Sequence, residues 1–221
     1  MMKWRKILLL MLLAVGLLAA FAACGQDKDA KQAENIDLKF IHGERICQAD
    51  VDFFREAMIG LTDANFPDNE LVQQMAMLRA IVLEAESQNL AISWEDARAY
   101  AETQYQEWQT LAADKNNPES AFAKSMLDYA QELMQTMSIT EDDYLDYLAY
   151  NQQASEALRT LREQFIAGLP VDEQGDVLGY SDIVYKYTSG LIEKYRTDLV
   201  EDDLLLTLDE VIEDIKNYYA E

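Results

Sequence analysis

The chain has 221 residues, of which 41 are Asp or Glu and only 18 are Lys or Arg, so its formal charge at pH 7 is −23. This charge excludes nucleic acid as a partner, because phosphate groups are bound mainly by Lys and Arg. Hydrophobic residues make up 50% of the chain, and the length fits one domain whose core needs no metal or disulfide for support.

The first 23 residues have the three-part pattern of a secretory signal peptide. Lys3, Arg5 and Lys6 form a positive start, an apolar run extends from Ile7 to Ala22, and small residues lead into Cys24. This order resembles the signal of bacterial lipoproteins, which implies that Cys24 receives lipid and becomes the first residue after cleavage. We therefore expect an exported protein that is anchored by lipid to the outer face of the cytoplasmic membrane or to the cell envelope.

Two other interpretations of the leader stay open. Cleavage after Ala20-Phe21-Ala22 would release a soluble secreted protein, and an uncleaved leader would anchor the chain, although its apolar run is short for a membrane span. Without the three basic residues of the leader, the formal charge changes from −23 to −26. Such a charge disfavours docking on an anionic bilayer surface, so the acyl chains would have to hold the protein at the membrane.

Residues 24–36 are interpreted as a flexible tether, since the sequence GQDKDAKQAEN within them has no apolar periodicity. Periodic apolar residues begin near Asp37 and continue towards the end of the chain, without an internal repeat of fixed period. The sequence therefore predicts one domain from residue 37 to residue 221.

The domain is predicted to open with a short β-hairpin. Two apolar runs flank His42-Gly43, and a glycine at that position can take the positive φ that a tight turn needs. His42, the only histidine in the chain, is then expected to be a surface turn residue and not a ligand or a base. Asp50 is expected to be the N-cap of the next helix, whose apolar face starts with Val51.

The segment from residue 68 to residue 90 is predicted to be the central helix of the domain. Its apolar residues recur at helical spacing, and within residues 75–83 the only polar residue is Arg79. A helix that is apolar almost all round packs on several sides. Pro67 suits the first turn, and Asn89 can end the helix in the left-handed conformation.

The rest of the chain is predicted to be helical except near residue 200. Side chains that can cap a helix N-terminus recur with an acidic residue three positions later. These pairs are Ser93 with Asp96, Thr140 with Asp143, and Thr207 with Glu210. Leu199-Val200 and Leu204-Leu205-Leu206 are short apolar runs that are instead compatible with strands.

Four segments between Phe40 and Trp108 form a recognisable series of motifs, namely FIHGERI, QADVDF, EAESQNL and ISWED. In their order and spacing they resemble the SurA N-terminal domain family, which includes the PrsA-type foldase lipoproteins and is related in fold to the trigger factor chaperone domain. The resemblance implies a mainly α, multi-helix chaperone domain with a small β-hairpin or sheet near its N-terminus. It also implies that a C-terminal strand returns to pair with the first strand.

The same resemblance implies a protein that binds unfolded or exported polypeptides. PrsA-type proteins carry a parvulin prolyl isomerase domain between the two halves of the chaperone domain. In this chain only a polar loop from Val171 to Gly179 stands at that point, and the histidines usual in parvulin sites are missing. We therefore expect a chaperone-like function without prolyl isomerase activity.

The residues that most enzyme sites need are missing from the sequence. With one histidine, and with Cys47 the only thiol left once Cys24 is lipidated, no Ser-His-Asp or Cys-His arrangement is available. Neither a glycine-rich phosphate loop nor a His/Cys cluster with metal-ligand spacing occurs. We interpret the acidic runs Glu141-Asp142-Asp143 and Glu201-Asp202-Asp203 as solvated helix starts. The sequence thus predicts no enzyme, no cofactor and no metal.

Aromatic and methionine side chains are abundant after the leader, which suits adaptable contact with unrelated peptides. Tyr105, Trp108, Tyr147 and Tyr150 are the candidates for an exposed peptide-binding surface, although such residues are often part of a core. Two other functions stay open. The chain could be an envelope lipoprotein that uses the same fold to bind one dedicated partner, or a secreted enzyme with an unrecognised site.

Overall fold

The structure is a computed structural model that describes residues 36–62, 64–167, 169 and 180–220. The expected signal peptide, Cys24, the tether up to residue 35 and the loop residues 170–179 lie outside this range. Where the structure describes the chain, it is mainly helical, as predicted, with one 3₁₀ helix and eight α-helices. The α-helices are α1 (Gln48–Thr62), α2 (Asp68–Ser87), α3 (Trp94–Ala113), α4 (Ser120–Met137), α5 (Glu141–Ile166), α6 (Tyr180–Lys194), α7 (Arg196–Leu199) and α8 (Leu205–Ala220).

Helix α2 is the centre of the fold, as its sequence predicts. It packs against α1, α5, α6, α7 and α8. Its buried side chains lie on more than one face and include Leu71, Met75 and Ile81. Because several helices cover α2, it can be apolar almost all round without exposing that surface to water.

The C-terminal end of α2 is closed by a Schellman motif. Asn89 takes a left-handed conformation with a φ of 58°. The Leu90 N–H donates to the Ala85 carbonyl at 2.8 Å, and the Asn89 N–H donates to the Glu86 carbonyl at 3.0 Å. These bonds satisfy carbonyl groups that the helix itself leaves unpaired. The prediction that Asn89 ends this helix is confirmed.

The prediction of a β-hairpin near the N-terminus is wrong. Residues Phe40–His42 form a 3₁₀ helix, and in the described part of the chain strand pairing is limited to one isolated bridge. Phe40 and Ile41 are both buried, whereas successive residues of a half-buried strand face opposite sides. Gly43 has the predicted positive φ, 75°, but it ends the 3₁₀ helix and does not join two strands. His42 is exposed, as predicted.

The two ends of the domain meet at a single parallel bridge between Ile46 and Val200. The Ile46 N–H donates to the Leu199 carbonyl at 2.9 Å, and the Glu201 N–H donates to the Ile46 carbonyl at 2.9 Å. Lys39 Nζ also lies 2.7 Å from Glu201 Oε1. The expected C-terminal return is therefore present as one bridge and not as a strand of a sheet.

The run Leu204-Leu205-Leu206 is not a strand, and Thr207 does not cap a helix. Helix α8 begins at Leu205, so Thr207 lies inside its first turn. The Leu204 N–H donates to the Glu201 carbonyl at 3.1 Å, and the Leu208 N–H donates to the Leu204 carbonyl at 3.0 Å. This turn starts the helix early, and a run of three apolar residues has no periodicity that separates a strand from a helix.

The capping predictions for α3 and α5 are confirmed. Ser93 Oγ accepts a hydrogen bond from the Asp96 N–H at 3.1 Å. Thr140 and Asp143 form a complete capping box, in which each side chain accepts from the other residue's backbone N–H. The acidic run at residues 141–143 therefore starts a helix, as its interpretation from the sequence states.

Asp50 does not cap α1, because that helix begins at Gln48. Its carboxylate instead accepts hydrogen bonds from two backbone N–H groups, that of Cys47 at 2.8 Å and that of Phe40 at 3.4 Å. These bonds link the 3₁₀ helix to the first turn of α1. The carboxylate is buried, and this burial raises the pKa of Asp50 above its ordinary value despite the two N–H donors.

The raised pKa of Asp50 predicts a pH dependence of stability. A carboxyl group whose pKa is higher in the folded than in the unfolded state binds its proton more tightly when folded, so it favours folding more as the pH falls. The pH range of this effect extends from the raised pKa of the folded state down to the pKa of the unfolded state, about 4. We expect the free energy of unfolding of the wild type, relative to Asp50→Asn, to increase as the pH is lowered through this range. Urea denaturation of both proteins at several pH values measures the difference, and a difference that shrinks in acid would contradict the prediction.

Candidate functional site

The four side chains expected to form a peptide-binding surface belong to the core. Tyr105, Tyr147 and Tyr150 are buried, and Trp108 is half-buried against the core. Tyr105 and Trp108 are neighbours, with ring centroids 6.5 Å apart, and Tyr147 packs edge to face on Phe53 at 5.1 Å. The expectation that the three tyrosines are exposed is wrong.

The periodicity of α5 explains why these tyrosines are buried. The buried face of this helix has a residue at every third or fourth position: Tyr144, Tyr147, Tyr150, Ala154, Ala157 and Leu161. A tyrosine ring supplies as much apolar area to a core as other aromatic side chains do. Burial raises the pKa of Tyr147 and of Tyr150 above its ordinary value, because it disfavours the charged phenolate. Sequence spacing alone could have placed these rings in the core.

Exposed apolar surface is concentrated on α6 and α8. Five large hydrophobic side chains are exposed in the described part of the chain, and three of them, Tyr185, Leu206 and Tyr218, belong to these two helices. A groove of about 330 Å³ lies between α6 and α8. A second depression of about 360 Å³ adjoins it. We refer to the two together as the α6–α8 groove, and their volumes fall at the lower end of the range for ligand sites, about 300–1,000 Å³.

Small residues of α6 opposite branched residues of α8 create this groove. Ile212 and Ile215 of α8 line it, continuing the buried stripe that starts at Leu208 and packs the helix onto α2. On the other side α6 presents Ser189 and Gly190. Their side chains are too small to fill the space beside the isoleucines, so the floor of the groove is apolar and open to solvent.

Ion pairs connect the two sides of the groove. Lys216 Nζ of α8 lies 2.6 Å from Glu193 Oε1 of α6. Arg196 of α7 donates to both carboxylate oxygens of Asp209, to Oδ2 at 2.6 Å. These hydrogen bonds lower the pKa of Asp209. Exposed pairs of this kind contribute little to stability, so a ligand could separate them at low cost.

Two exposed tyrosines extend the apolar surface at one end of the groove. Tyr185 lies one helical turn before Ser189, and Tyr218 lies one turn after Ile215. Their ring centroids are 6.2 Å apart in an edge-to-face arrangement. Gln73 Nε2 of α2 donates to the Tyr185 hydroxyl at 3.0 Å, which orients this ring. Exposed aromatic rings beside an apolar groove are typical of surfaces that contact other polypeptides.

The α6–α8 groove offers apolar surface, charges of both signs and one hydroxyl group, which suit non-covalent binding of an amphipathic segment. Elsewhere, Cys47 is half-buried, and burial raises the pKa of its thiol, which disfavours the reactive thiolate. Among the residues described, no group of three or more His, Cys, Asp or Glu side chains could hold a metal ion.

Within residues 36–220, as far as the structure describes them, no helix combines the length and the apolar character that crossing a membrane requires.

The groove could not be predicted from the sequence. The residue that signals it is Gly190, which stands in the middle of a helical pattern, where glycine is less favourable than alanine by about 1 kcal/mol. The sequence does not show which faces of two distant helices meet. The position of Gly190 opposite Ile212 and Ile215 therefore depends on the tertiary fold.

The segments that resemble the SurA N-terminal domain family form the 3₁₀ helix, part of α1, the end of α2 and the start of α3. None of them lines the α6–α8 groove. The resemblance and the groove are therefore separate arguments about function. In comparisons with family models, with curated proteins and with solved structures, the chain has no match.

Proposed function

We propose that the protein is a lipid-anchored, extracytoplasmic chaperone-like protein that binds unfolded or exported polypeptides and does not catalyse prolyl isomerisation. The observation that carries this proposal is the α6–α8 groove, an open apolar floor between two helices with exposed tyrosine rings at one end. The leader and Cys24 support a location at a membrane surface. The SurA-like motifs between Phe40 and Trp108 support the chaperone class.

The charge of the chain indicates which polypeptides bind fastest. A formal charge of −23 attracts basic unfolded chains over long distances and repels acidic ones. Salt screens this attraction, since the Debye length falls from about 30 Å at 0.01 M to about 3 Å at 1 M ionic strength. We therefore expect the protein to prefer basic polypeptides only at low salt, whereas contact of a polypeptide with the apolar groove persists at high salt.

Aggregation assays test the proposal. The full chain is held in lipid nanodiscs. At low salt we expect it to suppress the aggregation of a basic unfolded protein several-fold more strongly than that of an acidic one. At high salt we expect it to suppress the aggregation of both proteins equally. Light scattering measures the aggregation. In a parallel refolding reaction limited by proline isomerisation, we expect no acceleration, because only the nine residues from Val171 to Gly179 stand in the sequence where the family carries its isomerase.

Two exposed tyrosines provide a matched pair of variants. Tyr218→Ser removes a ring at the end of the groove and is expected to weaken suppression of both unfolded proteins. Tyr100→Ser removes a ring that is exposed on α3 and is expected to leave suppression unchanged. If the wild type suppresses the aggregation of neither protein, the chaperone proposal fails and a lipoprotein with one dedicated partner replaces it. Faster refolding would reject the claim that isomerase activity is missing.

A further inference from the structure

Gly190 is a glycine in the middle of α6 that the packing of the chain does not require. A glycine inside a helix lowers the stability of that helix relative to alanine. A Cβ atom at this position would meet nothing within 4 Å. At Gly60, by contrast, a Cβ would lie 2.8 Å from the ring of Tyr129, so close packing explains that glycine. Gly190 instead leaves space at the groove in which another backbone can approach.

Ser189, the residue before it, carries a buried hydroxyl group without a partner. The residue is only 4% exposed, and its Oγ makes no hydrogen bond to any residue that the structure describes. A buried polar atom without a hydrogen bond destabilises the folded state. Ser189 and Gly190 both line the α6–α8 groove, so two locally unfavourable residues stand side by side. Residues that lower the stability of the fold in this way are expected where a protein binds a ligand.

We infer that the α6–α8 groove binds the main chain of an unfolded polypeptide beside Gly190. There a peptide group of the ligand can pair with the Ser189 hydroxyl after rotation about its χ1, and apolar side chains of the ligand contact Ile212 and Ile215. The two adjoining depressions make the groove longer than one side chain, which suits a chain segment. The inference rests on the proposed chaperone function and names the site at which that function is performed.

The charge of the whole chain, −23, favours a ligand with Lys or Arg beside its apolar residues. The charged side chains that line the groove balance one another, with three cations and three anions: Lys186, Arg196, Lys216, Glu193, Asp209 and Glu213. Glu213 lines the groove, is exposed, and makes no ion pair with another described residue. Helix α8 as a whole carries four acidic residues against Lys216 alone. A second copy of the chain is disfavoured as the occupant, because two copies that each carry a charge of −23 repel one another. An anionic membrane surface is disfavoured for the same reason.

Fluorescence anisotropy with three labelled peptides tests the inference on the full chain in lipid nanodiscs. One peptide alternates Leu and Lys, the second alternates Leu and Glu, and the third alternates Ser and Lys. We expect the wild type to bind the Leu/Lys peptide about tenfold more tightly than either of the others. Only that peptide combines apolar side chains with a charge opposite to that of the chain, −23.

Variants at Gly190 test whether the Leu/Lys peptide binds in the α6–α8 groove. Gly190→Leu fills the open space and is expected to weaken binding of the Leu/Lys peptide by about tenfold or more. Ala121→Leu adds the same side chain at an exposed position of α4 and is expected to leave the affinity unchanged. Gly190→Ala is expected to raise the midpoint of thermal unfolding, because alanine favours the helix, and yet to weaken binding. A loss of affinity in a more stable variant is not a consequence of misfolding.

Four outcomes would overturn the inference. The first is equal affinity of the wild type, Gly190→Ala and Gly190→Leu for the Leu/Lys peptide, and the second is tighter binding of one of the other two peptides. The third is a wild type that suppresses aggregation in light scattering but binds none of the peptides, in which case the groove is rejected and the chaperone function stands. If the wild type neither suppresses aggregation nor binds a peptide, both proposals fail.

Discussion

Truncation after Arg196 is expected to abolish cooperative folding of the whole domain. The removed segment contains Leu199, Val200 and Leu208, each 0% exposed, and it packs against the central helix α2. Each such side chain stabilises the fold by about 1.5–3 kcal/mol through burial, and Leu204, Val211 and Ile212 are buried as well. The sum approaches or exceeds the total stability of a typical domain, about 5–15 kcal/mol.

Truncation also removes the partner of Ile46 at the N-terminal side of the domain. The parallel bridge from Ile46 to Val200 and the ion pair from Lys39 to Glu201 are both lost. The effect should therefore reach the 3₁₀ helix and α1, which are far from the cut in the sequence. Thermal unfolding followed by circular dichroism is expected to lose its cooperative transition.

Two point variants on α8 test whether the burial of its side chains stabilises the domain. Leu208→Ala removes a fully buried side chain and is expected to lower the free energy of unfolding by about 2–5 kcal/mol. Glu210→Ala changes an exposed side chain on the same helix and is expected to stay within about 0.5 kcal/mol of the wild type. If the truncated chain unfolds at the same temperature as the parent, α8 is an independent appendage and the contacts with α2 contribute nothing.

Features that depend on neighbouring residues could be predicted from the sequence. Asn89, Ser93 and Thr140 mark helix ends because each cap is formed by residues within a few positions of one another. The central place of α2 could be predicted for a related reason. A helix that is apolar on nearly all sides has to be covered by other helices, whatever their identity.

Features that depend on distant partners could not be predicted in this way. Phe40 and Ile41 form a 3₁₀ helix because both are buried in the core, where the Phe40 ring meets that of Tyr150 edge to face at 5.1 Å. The apolar run that contains them fits a strand equally well when that contact is unknown. The groove depends even more strongly on distant partners. The sequence shows that Gly190 is unusual in a helix, but only the packing of α6 on α8 shows that its missing side chain leaves an open surface.

Arg98→Leu is expected to lower the free energy of unfolding by about 2 kcal/mol, because Arg98 connects α3 to the start of α5. Its guanidinium donates to the side chains of Asp142 and Asp146 on α5 and, at 3.0 Å, to the Asp142 carbonyl. It also pairs with Glu102 on its own helix, at 3.2 Å. The Arg98 side chain and that of Asp146 are each only 17% exposed, so removing the guanidinium leaves a mostly buried carboxylate without its cation.

The partly solvated surroundings of this cluster limit the size of the effect. Complete burial of an ion pair would make the loss of one partner cost about 3–5 kcal/mol, but the Asp142 side chain is 82% exposed and regains water. Leucine keeps the apolar contacts of the arginine stem, so the expected loss reflects the missing hydrogen bonds and charge. The effect should also resist salt, since partly buried charges are screened less than exposed ones.

Arg159→Leu is the matched control for this prediction. Arg159 also makes two ion pairs, with Glu156 and Glu163, but both partners belong to its own helix and its side chain is 49% exposed. Exposed pairs within one helix contribute about 0.3–0.5 kcal/mol, so this variant should unfold almost like the wild type and lose even that difference at high salt. Urea denaturation of both variants at low and high salt measures the contrast. If Arg98→Leu costs no more than Arg159→Leu, the bonds from Arg98 to α5 add no stability of their own. The two helices are then held together by their other contacts, which include the packing of Ala97 and Ala101 against Ala149.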